Sequence, residues 1–251
     1  MTLNWDAKED TVSLQQPSLV KSQVATKREI LRQTSRLFDP LGLLSPVTIR
    51  AKLLIQDLWR MKYDWDTPLP DDLQVRWHCI VDDLEISAKQ RFARPYCREG
   101  TSPLTLHVFV DASIQSYGAT AYICSEENST IIMAKSRVAP LKTLTLPKLE
   151  LMAAVIGARL AKHVRQSINV DHVHLWSDSQ IVLYWIQGKK PVKQFVARRV
   201  EEIGELTCEA RWRYSTDGTK PDFLSRTSRT AFARTIGYFV AWIHANAIIL
   251  S

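Results

Sequence analysis

The chain has 251 residues, room for one large domain or two modest ones, and its apolar share of 45% and charged share of 24% are ordinary for folded proteins, which excludes general disorder. Lys and Arg outnumber Asp and Glu by 33 to 26, a formal net charge of +7 that favours polyanionic partners, because neutralised phosphates release their counterions. The four cysteines, Cys79, Cys97, Cys124 and Cys208, show no C-x-x-C spacing, so a zinc ribbon or disulfide framework is not indicated and reduced intracellular thiols are expected.

The N-terminus lacks the apolar core of a secretion signal, so an intracellular protein, cytoplasmic or nuclear, is expected. Residues 27–38 place Ile30, Leu31, Thr34 and Leu37 at helical spacing. A Pro- and Gly-containing joint at 39–46 follows. A second amphipathic helix is expected over 48–61, through Ile49, Leu53, Ile55 and Trp59. A third starts near Pro70, where Asp71 and Asp72 suit a helix N-terminus, and runs through Trp77, Ile80 and Leu84. This region reads as mostly helical and carries no catalytic constellation.

Residues 94–103, with two Pro and a Gly, read as a linker. Beyond them the pattern changes to short β-branched runs at 104–110, 118–123 and 131–138, each a predicted strand. Pro147 then starts a long helix through Leu149, Met152, Ala153, Ile156 and Leu160. A strand at 173–177, a helix from Ser179 to about Gln187, a further helix, a strand at 211–215 and a last helical turn at 222–226 complete the order. The fold class is therefore α/β: a mixed five-stranded sheet flanked by helices, preceded by a mostly helical segment. The apolar run at 236–250 is shorter than the roughly 20 residues a membrane span needs. It reads as a packing helix or a divergent tail, and no membrane partner is expected.

Four carboxylates fall at element ends. Asp111 closes the strand written F-V-D-A-S, Asp178 closes L-W-S-D-S, Glu150 lies in the first turns of the long helix, and Asp222 starts the last helical turn. Each has a plainer role open to it: a helix-cap acid for Asp178 and Asp222, a helix-dipole partner for Glu150, a turn residue for Asp111. Neighbouring strands lie about 4.8 Å apart, so two strand-end carboxylates and one from a crossing helix can converge. Hard oxygen ligands with no His or Cys cluster suit Mg²⁺, which takes phosphate oxygens and waters as further ligands. Two such ions, Mg²⁺ or Mn²⁺ in its place, can activate a water and stabilise a leaving oxygen.

The motifs FVDAS (109–113), KSRVAPLKTLTLPKLELMAA (135–154), LWSDSQIVLYWI (175–186), FVARRVEEI (195–203) and KPDFLSR (220–226) resemble, in this order, the ribonuclease H region of BEL/Pao-type retrotransposon polyproteins. KREILRQTSRLFDPLGLLSPVTIRAKLLIQDLW (27–59) is similar to the segment that joins reverse transcriptase to ribonuclease H in the same family. The resemblance implies a reverse-transcriptase thumb- or connection-like segment over 1–95, a ribonuclease H-like domain over 104–226, and a divergent tail over 227–251. It implies hydrolysis of RNA in RNA–DNA hybrids, with Asp111, Glu150, Asp178 and Asp222 as catalytic residues and metal ligands. The rest of a retroelement polyprotein is an implied partner. The chain departs from the family at Tyr214, where a histidine is usual, and at the lead-in to Asp222, where Thr219-Lys220-Pro221 replaces N-P-A. A catalytically impaired, nucleic-acid-binding remnant is the alternative these departures imply. No Y-x-D-D polymerase motif and no D-[ST]-G aspartic peptidase loop is present.

For binding, Lys189, Lys190, Lys193, Arg198 and Arg199 form a basic stretch able to follow a phosphate backbone, or else a solvated helix face paired with Glu201, Glu202 and Glu205. Ser113, Ser179 and Gln180 are candidates for ribose 2′-hydroxyl contacts. Trp176, Tyr184 and Trp185 read as core, and the His172/His174 pair as packing rather than metal ligation.

Overall fold

The structure, a computed structural model, describes residues 3–14, 24–93, 103–125, 129–188 and 190–215. The chain divides into two compact units, Met1–Arg94 and Pro95–Ser251. The 94–103 linker lies, apart from Pro103, outside the described residues, as do Lys189, Asp222 and the tail.

The first unit contains the three expected helices: α1 (Lys27–Ser35), α2 (Ser45–Arg60) and α3 (Asp71–Ala88). Thr26 caps α1 by accepting from Glu29 N, which satisfies a donor the first helical turn leaves open. The Asp39 carboxylate accepts from Leu43 N and Leu44 N at 2.9 and 2.7 Å, and folds the joint before α2. Gly42, at φ 70°, supplies the left-handed residue that this joint requires. Ile30, Leu54, Leu58, Trp77, Ile80 and Leu84 bury one face of each helix in a shared core.

This unit also contains an unexpected antiparallel sheet, β1 (Leu3–Asp6), β2 (Thr11–Leu14) and β3 (Arg91–Ala93), in the order β1-β2-β3. The Asp6 carboxylate accepts from Lys8 N and Glu9 N, and Asp10 takes φ 46°, so four residues reverse the chain between Asp6 and Thr11. Strands this short carry too little alternation to be read as periodic.

The second unit contains β4 (Thr105–Ala112), β5 (Ser116–Cys124), β6 (Ser129–Val138), α4 (Leu146–Ser167), β7 (His172–Ser177), α5 (Gln180–Gln187), α6 (Gln194–Leu206) and β8 (Arg211–Tyr214). Its five strands lie in the order β6-β5-β4-β7-β8. β4, β5 and β6 are antiparallel neighbours, while β7 runs parallel to β4 and β8 parallel to β7. The mixed five-stranded sheet expected from the sequence is therefore present, with strand limits shifted by one or two residues. The predicted last helical turn at 222–226 is outside the described residues.

Helix α4 packs across one face of the sheet. Leu106, Val108, Val110, Ala119, Ala121 and Leu175 meet Leu149, Ala153, Ile156 and Leu160. Gly157 permits a close approach: a Cβ there would lie 2.3 Å from Val110 Cγ1. Helix α6 lies beside α4 and runs in the same direction: Met152 meets Arg199, Arg159 pairs with Glu202, and Arg165 pairs with Glu209 just past the end of α6.

The opposite face of the sheet carries aromatic side chains. Trp176 Nε1 donates to His107 Nδ1 at 3.0 Å, and His107, His174, Phe109 and Trp176 form a run of ring contacts. Burial, then the neighbouring His174 and Arg213 charges, push the His107 imidazole down to about 3, so it is neutral at physiological pH. His174 thus packs beside His107, while His172 is exposed; Trp176 is buried as the sequence implied, whereas Tyr184 is 52% exposed.

Candidate active site

Strands β4 and β7 are parallel and in register, with Val110 opposite Ser177. Asp111 and Asp178, each the next residue, therefore stand side by side at the same end of two adjacent strands, whose spacing is about 4.8 Å. Asp111 is only 8% exposed, and its Oδ1 accepts from Ala112 N at 2.7 Å. On its other side β5 places Gly118 opposite Asp111. A Cβ at Gly118 would lie 2.6 Å from the Lys135 carbonyl oxygen, so the strand beyond sits tight against this position.

Glu150 reaches the same end of the sheet from α4. The Ser179 hydroxyl, immediately after Asp178, donates to Glu150 Oε2 at 2.6 Å. That hydroxyl also accepts from Val182 N as the N-cap of α5. Burial raises the Glu150 carboxyl above its ordinary range; the Ser179 hydrogen bond lowers it in part, and the Asp178 charge raises it again. Glu150 and Asp178 thus sense one another electrostatically.

The donor set consists of carboxylate oxygens alone, which is the chemistry of hard divalent cations. Among the described residues no group of three or more His, Cys, Asp and Glu stands close enough to hold a metal ion. The Ser179 hydrogen bond holds Glu150 toward α5, and the Ala112 amide holds Asp111 toward its own strand. Mg²⁺ asks for only one or two protein carboxylates, its other ligands being waters and phosphate oxygens. The coupled Glu150 and Asp178 fit that requirement; Asp222 is outside the described residues.

The expected binding residues fall in different surroundings. Ser113 is buried and its hydroxyl closes the β4–β5 turn, donating to Ser116 O and accepting from Gln115 N and Ser116 N. Ser179 is buried between Glu150 and α5, so both serines act within the fold. Gln180 is exposed at the start of α5. Lys190 lies 5.9 Å from the Tyr184 ring, while Lys193 and Arg198 are exposed. Arg199 is half-buried and stacks on Phe195. The basic stretch is therefore not one continuous surface. Tyr214, 44% exposed, ends β8 opposite Ser177, one residue from Asp178.

Residues 26–179, from the cap of α1 to the cap of α5, match the family described as the Pao retrotransposon-like RNaseH-like domain. The chain belongs to this family. The Pao match includes Asp111, Glu150 and Asp178 and ends before α6 and Tyr214. No curated protein matches the chain.

Among solved structures, the Pao chain is similar to RNase H1 of the archaeon Halobacterium salinarum NRC-1, at 16% identity and a TM-score of 0.36, over 45% of this chain and 86% of that one. It is similar to LC11-RNase H1 in complex with an RNA/DNA hybrid, at 13% identity and a TM-score of 0.35, over 45% and 86%. It is also similar to the foamy viral protease-reverse transcriptase in complex with dsDNA, at 14% identity and a TM-score of 0.43, over 77% of this chain and 42% of that one. No helix among the described residues is long and apolar enough to cross a membrane.

Two residues near the site escaped sequence reasoning. Lys148 stands two residues before Glu150, and Phe195 lies in the first turn of α6; both fall inside the quoted motifs at 135–154 and 195–203 but were not singled out there.

Proposed function

We propose that this Pao-family chain is a divalent-metal-dependent ribonuclease H acting on the RNA of RNA–DNA hybrids, with Asp111, Glu150, Asp178 and Asp222 as its catalytic acids. The observation that carries the reading is the in-register pairing of β4 and β7, which sets Asp111 beside Asp178, with Glu150 tied to Ser179. Asp111, Glu150 and Asp178 would hold two Mg²⁺ ions, or Mn²⁺, with Asp222 as a fourth ligand. When bound, the ions supply a water nucleophile at neutral pH and charge neutralisation on the phosphate.

The chain's own residues have separate tasks in this reading. Asp111 and Asp178, anchored at strand ends, would hold the ions that position the scissile phosphate. Glu150, held by the Ser179 hydroxyl, would present its carboxylate to an ion and so help orient the attacking water as the phosphodiester opens to a 3′-hydroxyl and a 5′-phosphate. Lys190, Lys193 and Arg198 give the hybrid backbone its cationic contacts, together with Lys189. The first unit serves as the connection-like segment of a retroelement polyprotein.

A second reading, nucleic-acid binding without turnover, rests on Tyr214. This phenol stands beside Ser177 where the family carries a histidine, so the imidazole of that position is missing.

The test incubates purified protein with a labelled RNA–DNA hybrid, with and without Mg²⁺, beside Asp178→Asn. Mg²⁺-dependent cleavage lost in Asp178→Asn by at least about 100-fold, roughly 2.7 kcal/mol of transition-state stabilisation, upholds the enzyme. Binding with no cleavage in either protein upholds the second reading.

A further inference from the structure

Two cations at the N-terminal ends of α4 and α6 share one aromatic ring. The guanidinium carbon of Arg199 lies 3.6 Å from the Phe195 ring centroid, and Lys148 Nζ lies 5.4 Å from the same centroid. Arg199 is further fixed: one terminal N–H donates to Phe195 O at 2.9 Å, and Nε approaches Met152 Sδ at 2.9 Å. Both acceptors are uncharged, and the remaining guanidinium N–H groups are left for another ligand. Among the described residues neither Arg199 nor Lys148 meets a carboxylate.

The rest of the α4/α6 interface behaves differently. Arg159 pairs with Glu202 at 2.6 Å, and Arg165 pairs with Glu209. The two arginines further along α4 are thus matched by acids, while Lys148 and Arg199, toward the helix starts, are not. Two cations against one ring repel each other, and cation–π attraction offsets that by only about 0.5–1 kcal/mol each at open sites. An anion between them removes the repulsion.

The backbone adds to the same field. Lys148 with Phe195, Met152 with Arg199 and Arg159 with Glu202 touch in step, so the N-terminal ends of α4 and α6 lie together. Neither helix has an acid in its first turn or a side-chain cap. Each end contributes a partial positive charge of about half an electron.

We propose that Lys148 and Arg199, carried on the Phe195 ring, form a seat for one backbone phosphate of the bound nucleic acid, on the α6 side of the helix that carries Glu150. The proposal rests on the nucleic-acid reading above. Phe195 is a positioning residue: it holds the two cations at one place. Arg199 acts here with Lys148 on α4, separately from Lys190, Lys193 and Arg198. The ligand class is a phosphodiester, and the seat tethers the strand so that a neighbouring phosphate meets Glu150 and Asp178.

The experiment measures equilibrium binding of a fluorescent RNA–DNA hybrid to the full chain across a salt series in Ca²⁺, so that cleavage plays no part. Lys148→Gln and Arg199→Gln should each weaken binding about three- to tenfold at moderate salt and reduce the slope of log Kd against log salt by about one. Lys148→Arg should keep the slope. The double variant should lose less than the sum of the two, because both cations meet one phosphate. Thermal melts of each variant identify any that fails to fold, and Lys148→Gln, on the half-exposed first turn, is the one expected to melt like wild type. Unchanged slopes in both Gln variants overturn the seat. If the wild-type chain binds neither hybrid nor DNA duplex, the nucleic-acid reading fails instead. In that case inorganic phosphate is titrated with NMR detection: shifts at Lys148 and Arg199 uphold an anion seat, and their absence overturns it.

Discussion

Ser179 ties Glu150 to the start of α5: its hydroxyl donates to Glu150 Oε2 at 2.6 Å and accepts from Val182 N at 3.3 Å. One small side chain thereby sets a helix cap and the direction of a site carboxylate. Ser179→Ala should cost about 1 kcal/mol of stability through the lost cap. It should also move the Glu150 carboxyl further up, since a hydrogen bond to its charged form disappears. Carboxyl-carbon NMR titration of Glu150 reads the second effect, and an unmoved midpoint would sink it.

Glu150 also links the site to stability. Its carboxyl titrates above the ordinary 4.5 in the folded chain, so the folded state binds this proton more tightly than the unfolded state does. The sign follows: this contribution to stability is full below about pH 4.5 and declines as pH rises through the raised folded value. Glu150→Gln, permanently neutral, should therefore melt higher than wild type at pH 7 and lose the decline, while losing cleavage. Melting curves from pH 4 to 8 check it; equal pH dependence in the two proteins contradicts it.

The contact of Gly157 with Val110 joins α4 to the strand that carries Asp111. A Cβ at 157 would come within 2.3 Å of Val110 Cγ1, and a β-branched side chain has little freedom to turn away. Gly157→Ala should destabilise the chain by about 1–3 kcal/mol despite the better helix propensity of Ala. Adding Val110→Ala should recover part of that loss. Chemical denaturation of the two singles and the double gives the coupling, and simple additivity would falsify the clash.

Tyr214 stands opposite Ser177, beside the site edge. Under the proposed function, Tyr214→His should raise kcat on an RNA–DNA hybrid by about 10- to 100-fold, up to the low end of the usual worth of a positioned acid or base. The gain should follow a new titration near pH 6.5 and leave Kd unchanged. A variant no faster than wild type at any pH removes the role assigned to an imidazole here.

Much of this was legible in the chain itself. The β-branched runs ending in Asp111 and Asp178, and Pro147 ahead of the Glu150 helix, announced their elements because strand and helix periods differ and proline marks a first turn. The three-stranded sheet of the first unit was not legible. Its strands have three or four residues, and β2 pairs with β3 nearly 80 positions away, a distance no local pattern records. The surroundings of two serines were not legible for a related reason. Ser113 and Ser179 sit beside site acids in sequence, yet their hydroxyls close a turn and cap a helix, which depends on where backbone amides point. Arg199 looked like one of a row of cations; the parallel course of α4 and α6 gives it Phe195 and Met152 as neighbours instead.

Asp111 belongs to β4, which is hydrogen-bonded on both edges, to β5 and to β7. Strands held on both sides are the last to open in hydrogen exchange, and their opening is that of the whole domain. The proposed catalytic acid mounted there has no local route to disorder. As substitutions accumulate in copies of such an element, the pair of strand ends should persist intact until the domain ceases to fold, so loss of geometry and loss of fold would arrive together.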